Sequence, residues 1–139
     1  MIRTKKTLRK ASEREALRKR VNQMHEWFNK EAWTKCFSLL DPRLRKQKRV
    51  EKQTYVESLR AFRKVYGELQ PWYIRISLHL DGSASKHDAR PFAYVYVVWQ
   101  DEEREFHMFR ERWVRDSRRW FSRVVGLVPN QNGFVAVRD

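Results

Sequence analysis

A chain of 139 residues, 41% hydrophobic and 14% aromatic, is long enough for one domain with a real core and reads as a folding sequence, not a disordered one. Its single cysteine, Cys36, excludes an internal disulfide framework and a multi-cysteine zinc site, and no apolar run reaches the length of a membrane-spanning helix. The formal charge of +14 is uneven, with 20 Lys/Arg against 8 Asp/Glu in residues 1–70 and 11 against 9 in residues 71–139, a bias that favours polyanions such as RNA, DNA, anionic lipid or an acidic protein.

Residues 1–11 read as a basic, flexible lead-in. No hydrophobic stretch follows it, so no secretory signal peptide is expected and a cytoplasmic location is. Ser12 and Glu15 have capping-box spacing, and Leu17, Val21, Met24 and Phe28 then recur as one apolar stripe, which predicts a helix over about 12–30. A shorter helix fits 31–40, with Trp33, Phe37 and Leu40 inward and Cys36 beside them. Asp41-Pro42 ends or bends it, and 43–49 is a positive link. Tyr55, Leu59, Phe62 and Tyr66 mark a third helix over about 51–66, with Gly67 as its stop.

After Pro71 the period drops from about 3.6 to 2. Trp72, Ile74, Ile76, Leu78 and Leu80 alternate with polar residues as a strand with one oily face. Asp81-Gly82-Ser83 turns the chain, and 83–90 is a polar loop. Residues 92–99 are apolar on both faces, as in a strand inside a sheet. Two more strands are expected over 104–115 and 119–128, around Asp116-Ser117-Arg118. Residues 129–139 read as a tail or a short edge segment. The fold class is therefore α+β, three helices packed on one face of a curved antiparallel sheet of about four strands.

The long first helix, the stretch WTKCFSLLDPRLR and above all WVRDSRRWFSRVVG at 113–126 resemble the nuclear transport factor 2-like superfamily. That family is a cone-shaped, cystatin-like fold that includes SnoaL-like and ketosteroid isomerase-like proteins. The resemblance covers 12–128 as one domain, although 41–50 is too charged for the short strand hairpin common there in the family. It implies that Trp113 and Trp120 are sheet residues flanking a turn, and not a nucleic-acid grip.

The resemblance also implies a cone interior in which some members place an acidic base and a hydroxyl donor. Candidates by residue type are His79, His107, Glu105, Glu111 and Asp81, with Tyr55, Tyr94 and Tyr96 as hydroxyls. None sits in a motif that marks a catalytic position, so no catalytic residue is assigned. His79 falls on the polar side of its strand, away from a pocket under the oily side. His25, His79, His87 and His107 form no HxxxH or HxH pair, so no metal is expected, and without GxGxxG or a Walker loop no cofactor is either. Cys36 reads as packing.

A non-catalytic, dimeric module that binds a small apolar ligand or a protein partner is the expected function. Trp33, Phe37, Tyr55, Phe62, Trp72, Tyr94 and Trp99 are its pocket candidates, against the alternative that they simply fill the core. Tyr73, Arg75, Arg110 and Arg112 are its dimer-face candidates for a homodimer. The first alternative is polyanion (RNA or DNA) binding through the basic N-terminal helix and residues 43–52, with Arg43, Arg45, Lys46, Lys48 and Arg49 on phosphates. The second is an isomerase or dehydratase working in a cone pocket.

Overall fold

A computed structural model describes residues 4–46, 50–81, 88–130 and 133–138, from 128 onward by backbone alone. The chain forms α1 (Lys5–Asn29), α2 (Trp33–Ser38), α3 (Pro42–Lys46) and α4 (Lys52–Tyr66). The strands follow as β1 (Gln70–His79), β2 (Phe92–Gln100), β3 (Phe106–Asp116), β4 (Arg119–Ser122), β5 (Val124–Asn130) and β6 (Gly133–Arg138).

Helix α1 starts seven residues before the expected Ser12. The Thr4 hydroxyl accepts from the Thr7 N–H at 3.2 Å and caps it, and the Lys, Leu, Arg and Ala residues that follow are good helix formers. Leu17, Val21 and Phe28 bury the stripe read from the sequence. Asp41-Pro42 begins a helix as well as ending one. Asp41 Oδ1 accepts from the Arg43 N–H at 3.1 Å, and proline takes the first helical position, where its missing N–H is no loss. The sequence reading therefore undercounts the helices by one, α3. Gly67 closes α4 at φ 73°, a backbone that favours glycine.

Strands β1 to β4 form a curved, open antiparallel meander in sequence order. Ile76, Val95 and Glu111 lie in one row across it, and Leu78, Ala93 and Trp113 in another. These rows face the helices, and their apolar members join Leu17, Val21, Cys36, Tyr55 and Phe62 in the core. Trp72 departs from the expected alternation. Pro71 pairs with Trp99 and Tyr73 with Val98, so Trp72 is the extra residue of a bulge. It leaves the oily face and stands 64% exposed against Phe106.

The turn joining β3 to β4 uses Ser117 and Arg118, both at positive φ, as a two-residue hairpin turn demands. Trp113 and Trp120 on either side are 0% and 2% exposed. The strand expected over 119–128 is broken at Arg123. Ser122 donates to Leu39 O and accepts from the Asp41 N–H, so the end of β4 is held by the α2–α3 joint. The chain then leaves the sheet, and β5 pairs with β6 in a hairpin of its own.

Candidate functional site

Between the helices and the inner sheet face lies a cavity of about 60 Å³. Met24, His25 and Phe28 reach it from α1, Tyr55 and Leu59 from α4, and Trp99, Phe109 and Glu111 from the sheet. Val124 and Leu127 of β5 line its remaining side, and Ser58 of α4 bonds the Leu127 backbone through its hydroxyl. The lining is apolar apart from a few groups, and Glu111 is the outstanding one.

Glu111 projects inward because β3 alternates, with Phe109 and Trp113 as its inward neighbours. Its Oε1 accepts from Trp113 Nε1 at 3.0 Å. Loss of water raises its pKa to about 7, and that indole bond offsets only part of the effect. Tyr55 is buried and donates to Cys36 O at 3.4 Å. Burial raises its pKa, and so do the negative charges that Cys36 and Glu111 carry when ionised. His25 stacks flat on Trp99 with centroids 4.4 Å apart. Burial lowers its pKa to about 4, so the ring is neutral at neutral pH, and its Nδ1 is buried with no hydrogen-bond partner among the described residues. The cavity can therefore offer a carboxyl that holds or gives up a proton near neutrality, beside a neutral imidazole and aromatic walls.

Of the pocket candidates, Tyr55 and Trp99 line this cavity. Phe37 packs edge-on behind Tyr55, and Phe62 is core. Trp33 borders a shallow open groove between α2 and α4. Trp72 and Tyr94 stand on the outer sheet face, Trp72 through the bulge and Tyr94 by alternation. His25 was missed as a cavity residue because it lies one position beyond the apolar stripe at Met24, where periodicity marks a flank. Glu111 was among the candidates by type, and what the sequence lacked was the register that turns it inward.

The other acid-base candidates lie elsewhere. His79 faces outward and stacks on Phe92. His107 bonds Asp101 at 2.8 Å and packs edge-on to Tyr66. Glu105 and Asp81 are exposed. Among the described residues no three His, Cys, Asp or Glu side chains gather as a metal site needs.

All four dimer-face candidates, Tyr73, Arg75, Arg110 and Arg112, sit on the outer face of the sheet. Of the basic candidates of 43–49, the structure describes Arg43, Arg45 and Lys46. Arg43 is 3.6 Å from Asp88, Arg45 Nε donates to Leu40 O at 2.9 Å, and Lys46 is exposed. Lys48 and Arg49, like His87 and the turn at Gly82-Ser83, lie outside the described residues.

A buried ionic cluster missed in the sequence stands nearby. Asp41, fully buried, accepts from both Arg90 terminal nitrogens at 2.8 and 2.7 Å and from Arg123 at 2.5 Å. Arg90 also grips Asp88 and Asp116, each at 2.9 Å. The cluster ties the α2–α3 joint, the start of β2, the end of β3 and the β4–β5 break, which is a structural task.

No family model, curated protein or solved structure matches the chain. Among the described residues no helix is long and apolar enough to cross a membrane.

Proposed function

We propose that the protein is a non-catalytic module of the cone-shaped nuclear transport factor 2-like kind that binds a small, mainly apolar molecule between its helices and sheet. Glu111 carries this reading. A carboxyl with a pKa of about 7 in an apolar, aromatic-walled cavity is an unfavourable thing to bury without use, and it suits a ligand with one polar group on an apolar body. Sites for drug-sized ligands commonly offer roughly 300–1,000 Å³. The present 60 Å³ holds a few waters, so a ligand widens the space between the helices, the sheet and β5.

The test is thermal unfolding in the presence of small aromatic and alicyclic alcohols, ketones and amines. A binder at about 100 times its Kd adds ~2.7 kcal/mol and raises Tm, and Leu127→Phe, which fills the cavity, abolishes the shift. If no compound raises Tm while Leu127→Phe stabilises the protein, the cavity is a packing gap and the reading fails.

Glu111 and Tyr55 in one cavity favour a second reading, a proton-transferring enzyme, since a base works best with a pKa near the operating pH. Glu111→Gln separates the two. It abolishes turnover of an enzyme, whereas a binding module, in which the amide can still hydrogen-bond the ligand's polar group, is weakened but still binds.

A further inference from the structure

We propose that the outer face of the four-stranded sheet is a platform for single-stranded nucleic acid. The face presents Trp72, Tyr73, Phe106 and Met108, which are 64%, 56%, 53% and 77% exposed. Trp72 reaches it through the bulge and packs edge-on to Phe106 with centroids 5.2 Å apart. Tyr94 and Tyr96 continue the surface along β2. Next to them the arginines lie over rings. The Arg75 guanidinium is 4.5 Å from the Tyr96 centroid, and that of Arg110 is 5.1 Å from Tyr94. A guanidinium resting on a tyrosine leaves its second face for a base and its N–H groups for a phosphate.

Charge selects the occupant. Arg75 and Arg110 point outward, and no Asp or Glu occupies an outward position of β1, β2 or β3 until Asp116, which Arg90 already holds. Other acids stand at the ends of these strands, in the Glu102–Glu105 turn and at Asp81, which lies 3.9 Å from Lys6. Helix α1 brings more positive charge to the free edge of the sheet, where Arg18 donates to Ile74 O at 3.5 Å. Two copies meeting through this face would set like charges against each other with no carboxylate between them. A strand of stackable bases on a polyanionic backbone satisfies both the aromatic and the cationic groups. The far end, where the outward Phe92 and Val114 are buried, bounds the platform.

The test is fluorescence anisotropy with the full chain and labelled oligo(U) and oligo(dT), plus a duplex of equal length, at about 50 and about 200 mM salt. The expected result is binding of a single strand more tightly than the duplex, with the preferred oligomer naming the sugar. Trp72→Ala with Phe106→Ala weakens it by roughly 5- to 150-fold for each stack lost. Arg75→Gln with Arg110→Gln lowers the salt slope by about 1.4, at roughly 0.7 per phosphate contact on a single strand. Circular dichroism checks that each pair of changes leaves the fold in place. Three results overturn the proposal. One is no single-strand binding at the lower salt. Another is binding that both outer-face pairs leave intact while Lys5→Gln, Lys6→Gln and Arg9→Gln abolish it, which assigns it to the basic helix. The third is sedimentation showing a dimer that Trp72→Ala with Phe106→Ala dissociates, which makes the face an interface between copies.

Discussion

Glu111 has the most perturbed acid in the inner face, and its titration has a definite sign. The folded pKa is about 7 against an ordinary 4.5, so the native state keeps a proton that the unfolded chain has released. Its contribution to stability is therefore greatest below pH ~4.5 and is lost as pH rises through ~7. Glu111→Gln removes that loss. The variant should match the native protein near pH 4 and exceed it by up to about 3 kcal/mol at pH 8, read as the difference in urea unfolding curves. Cys36 gives a second prediction. Its thiol is fully buried and its pKa is raised to about 12, so an aromatic disulfide reagent should react with it only at the rate of opening and fully only in denaturant. The sequence already placed Cys36 among apolar neighbours. It could not expose the proton affinity of Glu111, because that depends on three elements closing around one carboxyl.

Among elements, the joints are more informative than the elements themselves. Asp41 caps α3 and anchors Arg90 and Arg123 from distant parts of the chain. Removing one partner of a buried pair leaves charge stranded, so Asp41→Ala should cost about 3–5 kcal/mol and lower the urea midpoint with little change in slope. The bonded arginines also hold the Asp41 and Asp88 carboxyls low, Asp88 to about 2. That stability is present above the ordinary 3.8 and lost as pH falls toward 2. The stripes of α1 and α4, the alternation of β1, the two-sided apolar run of β2 and the Trp-turn-Trp hairpin were legible because each is a local pattern. Pro71, Trp72 and the split at Arg123 were not. A bulge and a strand break depend on partners far along the chain, Trp99 and Val98 in one case and Leu39 and Asp41 in the other. The same limit explains the site, since the helical stripe already turned Tyr55 inward while strand register alone sorted Trp99 inward and Tyr94 outward.

At the scale of the whole molecule the +14 charge acts on every conformation. Compaction brings like charges together, so added salt should stabilise the protein by screening them. The exposed pairs Lys19–Glu15 and Lys30–Glu26 lose little in return, since such pairs are worth roughly 0–1 kcal/mol. A Tm that rises between about 50 and about 500 mM sodium chloride bears this out, and a fall would mean that the ion pairs outweigh the repulsion. The buried Asp41 cluster is shielded from the change.

The bulge at Trp72 also gives the protein an optical handle. Trp113, Trp120 and Trp99 are 0%, 2% and 6% exposed, Trp27 and Trp33 are half-buried, and Trp72 is 64% exposed on the outer face of the sheet. Trp72 therefore dominates the red edge of the indole emission, with Trp27 and Trp33 between it and the blue-emitting core. Iodide, which reaches only exposed indoles, extinguishes the red edge first. The outer face thus reports its own occupancy in a spectrum where the interior serves as the internal reference.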